Sequence, residues 1–90
     1  GAIWLAVVAV PTGSLRVGKR VGQLNNSIRA LRFQHSEMTQ QELADRVGIT
    51  RQTVNAIEAN KYSPSLEVAF RIAIVFRVGL EQVFQYREHL

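Results

Sequence analysis

From residue 26 onward, apolar side chains recur every three or four positions, in short segments separated by polar or glycine-containing stretches. This spacing places them on one face of a helix and predicts an all-α domain of five short helices. The first helix is expected to start at Asn26 or Ser27 and to fade in the polar stretch 34–37. The fifth is expected to run from Leu80 to about Gln85.

The two central helices are separated by a single glycine, Gly48. The sequence TQQE from Thr39 to Glu42 predicts a capping box at the start of the second helix. Gly48 suits the left-handed residue that ends a helix, and Thr50 is a good cap for the third. A turn of about three residues after so short a helix sets the two helices at a steep angle, as in a helix-turn-helix unit.

A unit of this kind over residues 40–59 places specific demands on the side chains inside it. The fifth position must be small because the two helices cross there, and it is Ala44; the ninth must tolerate the left-handed turn, and it is Gly48. The positions expected to be buried hold Leu43, Val47, Ile49, Val54 and Ile57. Every demand is met, and the joint match is much more specific than any one of these residues alone.

At these residues the sequence resembles the lambda-repressor/Cro-like (XRE) helix-turn-helix family of phage and bacterial regulators. The resemblance covers residues 28–32, 38–76 and 80–86. It implies a five-helix lambda-repressor-like DNA-binding domain over residues 26–90, whose third helix, 51–59, enters the major groove while the second crosses the backbone. Asn60 stands where the family usually has glycine, and the loop before the second helix is one residue longer than the commonest form.

Residues 1–25 lie outside the resemblance and form an N-terminal extension. The β-branched stretch 3–10, the turn residues 11–14 and the stretch 15–21 are consistent with a small β-hairpin or arm, while a disordered leader is an equally good interpretation. Arg16, Lys19 and Arg20 face no acid in this segment and are candidates for arm contacts with DNA.

The third helix supplies the candidates for base contacts, because several of its polar residues are not needed for the core. Arg can bind guanine O6 and N7, Gln can bind adenine N6 and N7, and a Thr methyl can touch the thymine methyl group. Phosphate contacts are expected from the start of the second helix, from the cap of the third and from the loop after it. The base-contact candidates are Arg51, Gln52, Thr53 and Asn55, and the phosphate candidates are Gln40, Thr50, Lys61 and Tyr62.

Glu58 lies on the same helix, where a carboxylate would repel phosphate. It falls on the core side of Asn55, so we interpret it as a structural residue paired with Arg32 or Arg29 of the first helix.

The fourth helix carries more apolar side chains than one core face needs. Its expected core stripe is Leu66, Ala69, Phe70, Ala73 and Phe76. A second stripe would then be exposed in a monomer and would mark an interface. We therefore expect a homodimer on a palindromic site, with Val68, Ile72, Val75 and Phe84 as interface candidates. Coverage by the fifth helix and the tail, or by the apolar stretch 3–10, is the alternative.

Composition narrows the class further. The chain has 90 residues, 47% hydrophobic, which suits one small domain, and no cysteine, which points to a reducing, cytoplasmic setting. Its longest apolar run, residues 2–10, is too short to span a membrane. Of the net charge of +4, all but +1 comes from the first 25 residues, so charge alone does not identify the partner. His35 and His89 are isolated.

No pair of carboxylates, phosphate loop, activated nucleophile or metal cluster is evident, so we expect neither an enzyme nor a cofactor. The sequence therefore favours a transcriptional regulator, most simply a repressor, that binds double-stranded DNA in a prokaryotic or phage nucleoid. The alternative is a helix-turn-helix module that binds a protein, as an antitoxin binds a toxin or as a coactivator bridge does. A pure protein binder has no use for the exposed Arg51, Gln52 and Thr53, whereas a repressor that also neutralises a toxin would keep both features.

Overall fold

The computed structural model describes residues 22–88, and these contain five α-helices and a two-stranded sheet. The helices are α1 (Ile28–Gln34), α2 (Gln40–Val47), α3 (Arg51–Glu58), α4 (Leu66–Phe76) and α5 (Leu80–Val83). The strands are β1 (Gly22–Asn26) and β2 (Phe84–Glu88). The prediction of a mainly α-helical domain with five helices is confirmed, and the two-stranded sheet is an addition to it. No helix within residues 22–88 is long and apolar enough to cross a membrane.

The sheet joins the two ends of the described chain. β1 and β2 are antiparallel, with Gly22 opposite Glu88 and Asn26 opposite Phe84. The prediction that the fifth helix continues to about Gln85 is wrong, because Phe84 and Tyr86 lie on one face of a strand and pair with Asn26 and Leu24. β1 begins at Gly22, before the predicted domain boundary at residue 26, and pairs with the strand that follows the last helix.

The predicted hairpin over residues 3–21, the arm candidates Arg16, Lys19 and Arg20, and His89 lie outside the described residues. His35 lies at the end of α1, where its Nδ1 is 2.9 Å from the Leu31 carbonyl oxygen and its ring is 5.2 Å from that of Phe76. It is therefore part of the packing around the core.

The helix starts are set by local hydrogen bonds. At α2, the Thr39 hydroxyl accepts from the Glu42 amide (3.0 Å) and Glu42 accepts from the Thr39 amide (3.2 Å), which confirms the capping box. At α4, Ser65 caps Val68. At α1 the cap is indirect, because the side chain of Asn26 accepts from the Ile28 amide. These bonds satisfy amides that have no partner inside a helix.

One hydrophobic core unites all five helices. Ala44 is fully buried where α2 and α3 pack together, and Ile49 in the turn is half-buried against the core. Of the positions predicted to be buried in the helix-turn-helix unit, Leu43, Val47, Val54 and Ile57 are buried and Ile49 is half-buried. The core consists of Ile28, Leu31, Met38, Leu43, Ala44, Val47, Val54, Ile57, Ile72, Ala73, Phe76 and Val83.

The orientation predicted for α4 is wrong. Ile72, expected to be exposed, is 1% exposed, while Leu66 and Phe70, expected in the core, are 66% and 49% exposed. Val68, Val75 and Phe84 are half-buried against the core of the same chain. Relative to the prediction, the helix is rotated about its axis by roughly 50°, which is half of the angle of about 100° between successive residues. The interface candidates Val68, Ile72, Val75 and Phe84 thus form no exposed stripe.

The face of α4 that is exposed is nevertheless apolar. Leu66, Phe70 and Ile74 recur every four residues along it, and Ile74 is 71% exposed. Residues four apart lie above one another on a helix, so the three side chains form a continuous apolar stripe. We call Leu66, Phe70 and Ile74 the α4 stripe.

Candidate nucleic-acid interface

Gly48 makes the junction between α2 and α3. Its backbone is left-handed (φ 87°, ψ 33°), and its amide donates to the Ala44 carbonyl at 2.8 Å. Glycine reaches this conformation without the steric cost that a Cβ adds. The Ile49 amide donates to the same carbonyl (3.0 Å), which closes the turn and lets Thr50 begin the next helix.

The first turn of α3 is held by a capping residue and by a core residue, and it presents polar side chains to solvent. The Thr50 hydroxyl accepts from the Thr53 amide at 3.1 Å and lies 2.8 Å from the Thr53 hydroxyl. Val54 anchors the turn in the core at 1% exposure. Arg51 and Gln52 are exposed, and Thr53 is half-buried. The turn therefore presents polar groups to solvent from a fixed backbone.

The exposed side of α3 and the start of α2 form one shallow polar depression. It is lined by Gln40, Arg51, Gln52 and Asn55, so the structure brings three of the four base-contact candidates together with a phosphate candidate. Within residues 22–88 two ion pairs are present, and neither includes Arg51. A cation in the first turn of a helix opposes the helix dipole, so an anionic partner would stabilise it there.

Lys61 and Tyr62 follow α3 in an exposed loop. The loop begins at Asn60, whose φ of 59° confirms that asparagine here takes the left-handed conformation usual for glycine. Tyr62 lines a separate cleft that faces the sheet, together with Asn60, Phe84 and Tyr86. Lys61 and Tyr62 therefore do not line the polar depression.

Glu58 forms an ion pair with Arg32, one of the two arginines predicted as its partner. Arg32 Nε and Nη2 donate to the two carboxylate oxygens of Glu58 at 2.7 and 3.1 Å, and Nη1 donates to the Met38 carbonyl at 2.7 Å. The two side chains are 11% and 10% exposed. This bidentate pair joins α1 to the last turn of α3 and neutralises a carboxylate beside the polar depression.

The side chain of Gln40, which we predict as a donor to phosphate, makes hydrogen bonds within the protein instead. Its amide nitrogen donates to Glu58 Oε1 and to Asn55 Oδ1, both at 3.3 Å. Because both amide protons are engaged, donation to a phosphate at this end of α2 falls to the backbone N–H groups of its first turn.

Two residues that sequence reasoning did not assign to the interface also border it. Arg29 lines an open cleft beside the depression with Phe33, Gln40 and Asn55, and its guanidinium lies 5.7 Å from the centre of the half-exposed Phe33 ring. The side chain of Asn26 donates to the Ile57 carbonyl at 2.9 Å and to Asn60 at 2.9 Å. Asn26, the last residue of β1, thus connects the sheet to the C-terminal end of α3 by hydrogen bonds. Neither position carries a pattern in the sequence that separates it from other surface residues.

A short capped helix, a left-handed glycine and a second capped helix with a polar, exposed first turn define a DNA-binding helix-turn-helix domain. A family model described as Helix-turn-helix matches residues 28–83. The chain therefore belongs to the XRE-type helix-turn-helix family of transcriptional regulators, as its sequence indicated.

Curated relatives are similar over most of their own length. An "uncharacterized HTH-type transcriptional regulator", MJ0272, of Methanocaldococcus jannaschii is 43% identical over 65 residues, 72% of this chain and 97% of that protein. A Bacillus subtilis protein of the same description, YgzD, is 40% identical over the same shares. A third, from Methanothermobacter thermautotrophicus, is 54% identical over 48 residues, 52% of this chain and 70% of that protein.

A solved structure has the same fold. The crystal structure of a "putative DNA-binding protein" from Bacteroides fragilis superposes with a TM-score of 0.61 and covers 70% of this chain and all of that one, at 24% identity. At this identity the similarity supports the fold alone.

Proposed function

We propose that this protein is a sequence-specific regulator, acting as a repressor, that binds double-stranded DNA on the nucleoid and inserts α3 into the major groove. The observation that carries the proposal is the first turn of α3, where Arg51 and Gln52 are exposed on a backbone fixed by Thr50 and Val54. Such side chains bind base edges bidentately. Thr53 and Asn55 complete the proposed set of base contacts.

Phosphate contacts would surround this reading surface. The free amides at the start of α2, the Thr50 cap, and Lys61 and Tyr62 in the loop are the proposed groups. We add Arg29, because the Phe33 ring beside its guanidinium holds a cation at the edge of the depression. If the residues before β1 act as an arm, Arg16, Lys19 and Arg20 would extend these contacts.

The reading surface is tested by selecting binding sites from random duplex DNA. Wild-type protein is expected to enrich one motif, with an affinity that falls steeply as salt rises. Arg51→Ala should lose the base preference at one position of each half-site, at a cost of about 1–3 kcal/mol. Arg46→Ala, at an exposed cation of α2 outside the depression, is the matched control and should leave the motif unchanged. Failure of the wild type to enrich any motif would contradict the proposal.

We further propose that two copies bind together, with the α4 stripe as their contact. A two-fold dimer places two recognition helices about 34 Å apart, which corresponds to one turn of DNA and a palindromic site. The stripe supplies an apolar contact that can be its own partner across a two-fold axis, as a symmetric interface requires.

The dimer is tested by the mass in solution of wild type and two lysine variants. Ile74→Lys should convert the dimer to a monomer and abolish the paired half-sites in the selected motif. Gln34→Lys, an exposed position at the end of α1, adds the same charge and should leave the mass unchanged. A wild-type protein that is monomeric at micromolar concentration would contradict the proposed dimer. It would not bear on base recognition by α3, which the selection of DNA binding sites tests separately.

A protein partner such as a toxin is the second candidate function, favoured by the same exposed stripe. It predicts that Ile74→Lys abolishes binding of that partner while a single half-site is still bound by α3. If wild-type protein enriched no DNA motif, the protein-binding interpretation would replace the proposed one.

A further inference from the structure

The side chain of Asn26 joins the start of α1 to the end of α3. Its oxygen accepts from the Ile28 amide at 3.1 Å, and its nitrogen donates to the carbonyl oxygens of Ile57 and Glu58 at 2.9 and 3.3 Å. The same nitrogen donates to Asn60 Oδ1, in the loop after α3, at 2.9 Å. Because Asn26 is also the last residue of β1, one side chain connects the sheet, α1 and α3.

The orientation of the Asn26 amide is fixed by its backbone partners. A carbonyl oxygen only accepts and a backbone N–H only donates. The end of the side chain that faces Ile57 and Glu58 must therefore be the NH2 group, and the end that faces Ile28 must be the oxygen. A side chain at this position thus needs an acceptor for α1 and a donor for α3.

The bonds to α3 act on the backbone at the end of the helix. The last carbonyl groups of a helix have no partner inside it. In α3, three of them accept from amides of the turn that follows, and the carbonyl of Glu58 accepts from Asn26. The ion pair between Glu58 and Arg32 also holds this end, but it acts through side chains that can change rotamer. Asn26 therefore holds the helix backbone directly.

The two ends of α3 are held by different groups. At the N-terminal end, the Thr50 cap and the buried Val54 fix the turn that carries Arg51. Asn55 lies closer to the C-terminal end, within one helical turn of Glu58. A shift of the C-terminal end should therefore displace Asn55 more than Arg51.

Resting on the proposed DNA-binding function, we infer that Asn26 is a positioning residue for base recognition by the C-terminal half of α3. It holds this end of the helix against α1 and the sheet, and so sets the distance and angle at which Asn55 meets its base. Hydrogen bonds weaken steeply when they are misaligned, so a small tilt of α3 is enough to lose discrimination at that base. Asn26 acts through α3 and does not contact the base itself.

The test removes the donor of Asn26 and retains an acceptor. A serine can accept from the amide two residues further on, as asparagine does, but its hydroxyl is one bond shorter and does not reach α3. Asn26→Ser should therefore keep the turn at the start of α1 and release the end of α3. Asn26→Asp is a second variant, because a carboxylate keeps the acceptor and lacks the donor.

Two controls separate this link from other effects. Asn25→Ser changes the adjacent asparagine of β1, whose side chain lies on the opposite face of the sheet. Asn60→Gly removes the loop side chain that accepts from Asn26, leaves the two carbonyl bonds in place and suits the left-handed backbone there (φ 59°). Both controls should bind the wild-type motif.

Binding sites are selected from random duplex DNA with each protein, and melting temperatures check that each variant is folded. Asn55→Ala and Arg51→Ala identify the base positions that these two side chains contact. In Asn26→Ser the base preference at the Asn55 position should fall by about fivefold or more, the discrimination of one well-placed contact. The preference at the Arg51 position should stay as in the wild type. Fluorescence anisotropy with duplexes that differ in one base pair measures both preferences.

A uniform loss of affinity with the same motif would mean that Asn26 contacts phosphate, and it would overturn the inference. An unchanged motif in both Asn26 variants, an equal loss of preference at both positions, or failure of both variants to fold would also overturn it. If Asn55→Ala changes no position, the inference fails while DNA binding stands. If the wild type enriches no motif at all, the proposed function fails and this inference with it.

Discussion

Removing the carboxylate of Glu58 should destabilise this protein far more than removing an exposed acid. In Glu58→Ala, Arg32 keeps its bond to the Met38 carbonyl and loses both bonds to Glu58, in a site where its side chain is 11% exposed in the wild type. Breaking a buried pair by deleting one partner typically costs about 3–5 kcal/mol, because the remaining charge is left without compensation. At about 4–8 °C per kcal/mol for a domain of this size, we expect the melting temperature to fall by roughly 12–40 °C.

Glu67→Ala provides the matched control. Glu67 also accepts from an arginine, Arg71, but the side chains of Arg71 and Glu67 are 51% and 74% exposed. An exposed pair of residues four apart in a helix contributes only about 0.3–0.5 kcal/mol, because water and salt screen it. The chain thus contains a buried and an exposed arginine–glutamate pair that can be compared in the same background.

The assay is urea unfolding followed by circular dichroism at 222 nm, with linear extrapolation of the free energy of unfolding to water. The reasoning is refuted if Glu58→Ala and Glu67→Ala lose the same stability. As a further check, the double variant Arg32→Met/Glu58→Leu should recover most of the loss, since apolar residues of similar volume can replace a buried ion pair.

Two further predictions concern the backbone and the crossing of α2 and α3. Arg77 ends α4 in the left-handed conformation (φ 57°), so Arg77→Gly should raise the free energy of unfolding by about 0.5–1 kcal/mol, measured by the same urea titration; a loss of stability would show that the conformation is not strained. Ala44 is fully buried between α2 and α3, so Ala44→Leu should cost about 1–3 kcal/mol and abolish DNA binding, whereas unchanged affinity in an anisotropy titration would mean that the two helices tolerate a wider separation.

The helix-turn-helix unit could be predicted from sequence because its determinants are local. The capping box at Thr39 and Glu42, the left-handed Gly48 and the Thr50 cap each act within four residues. The pairing of Glu58 with Arg32 was narrowed to two arginines by the helix face on which Glu58 lies, and only the packing of α1 against α3 decided between them.

The orientation of α4 could not be obtained in this way. Apolar residues occur on every face of that helix, so its periodicity allows more than one core face, and packing selected Ile72 in place of Phe70. The sheet was missed because β1 and β2 come from opposite ends of the described chain, and neither strand is stable alone. The bonds of Gln40 depend on two residues of another helix, α3, and leave no trace in the local pattern.

The central claim is that α3 binds in the major groove, and methylation interference on the selected DNA site tests it most directly. Dimethyl sulfate methylates guanine N7 in the major groove and adenine N3 in the minor groove, so the two grooves are probed in one experiment. The account predicts that N7 methylation blocks binding at guanines of each half-site and that Arg51→Ala relieves the block at one of them. Interference confined to adenine N3, or absent at every guanine, would contradict it.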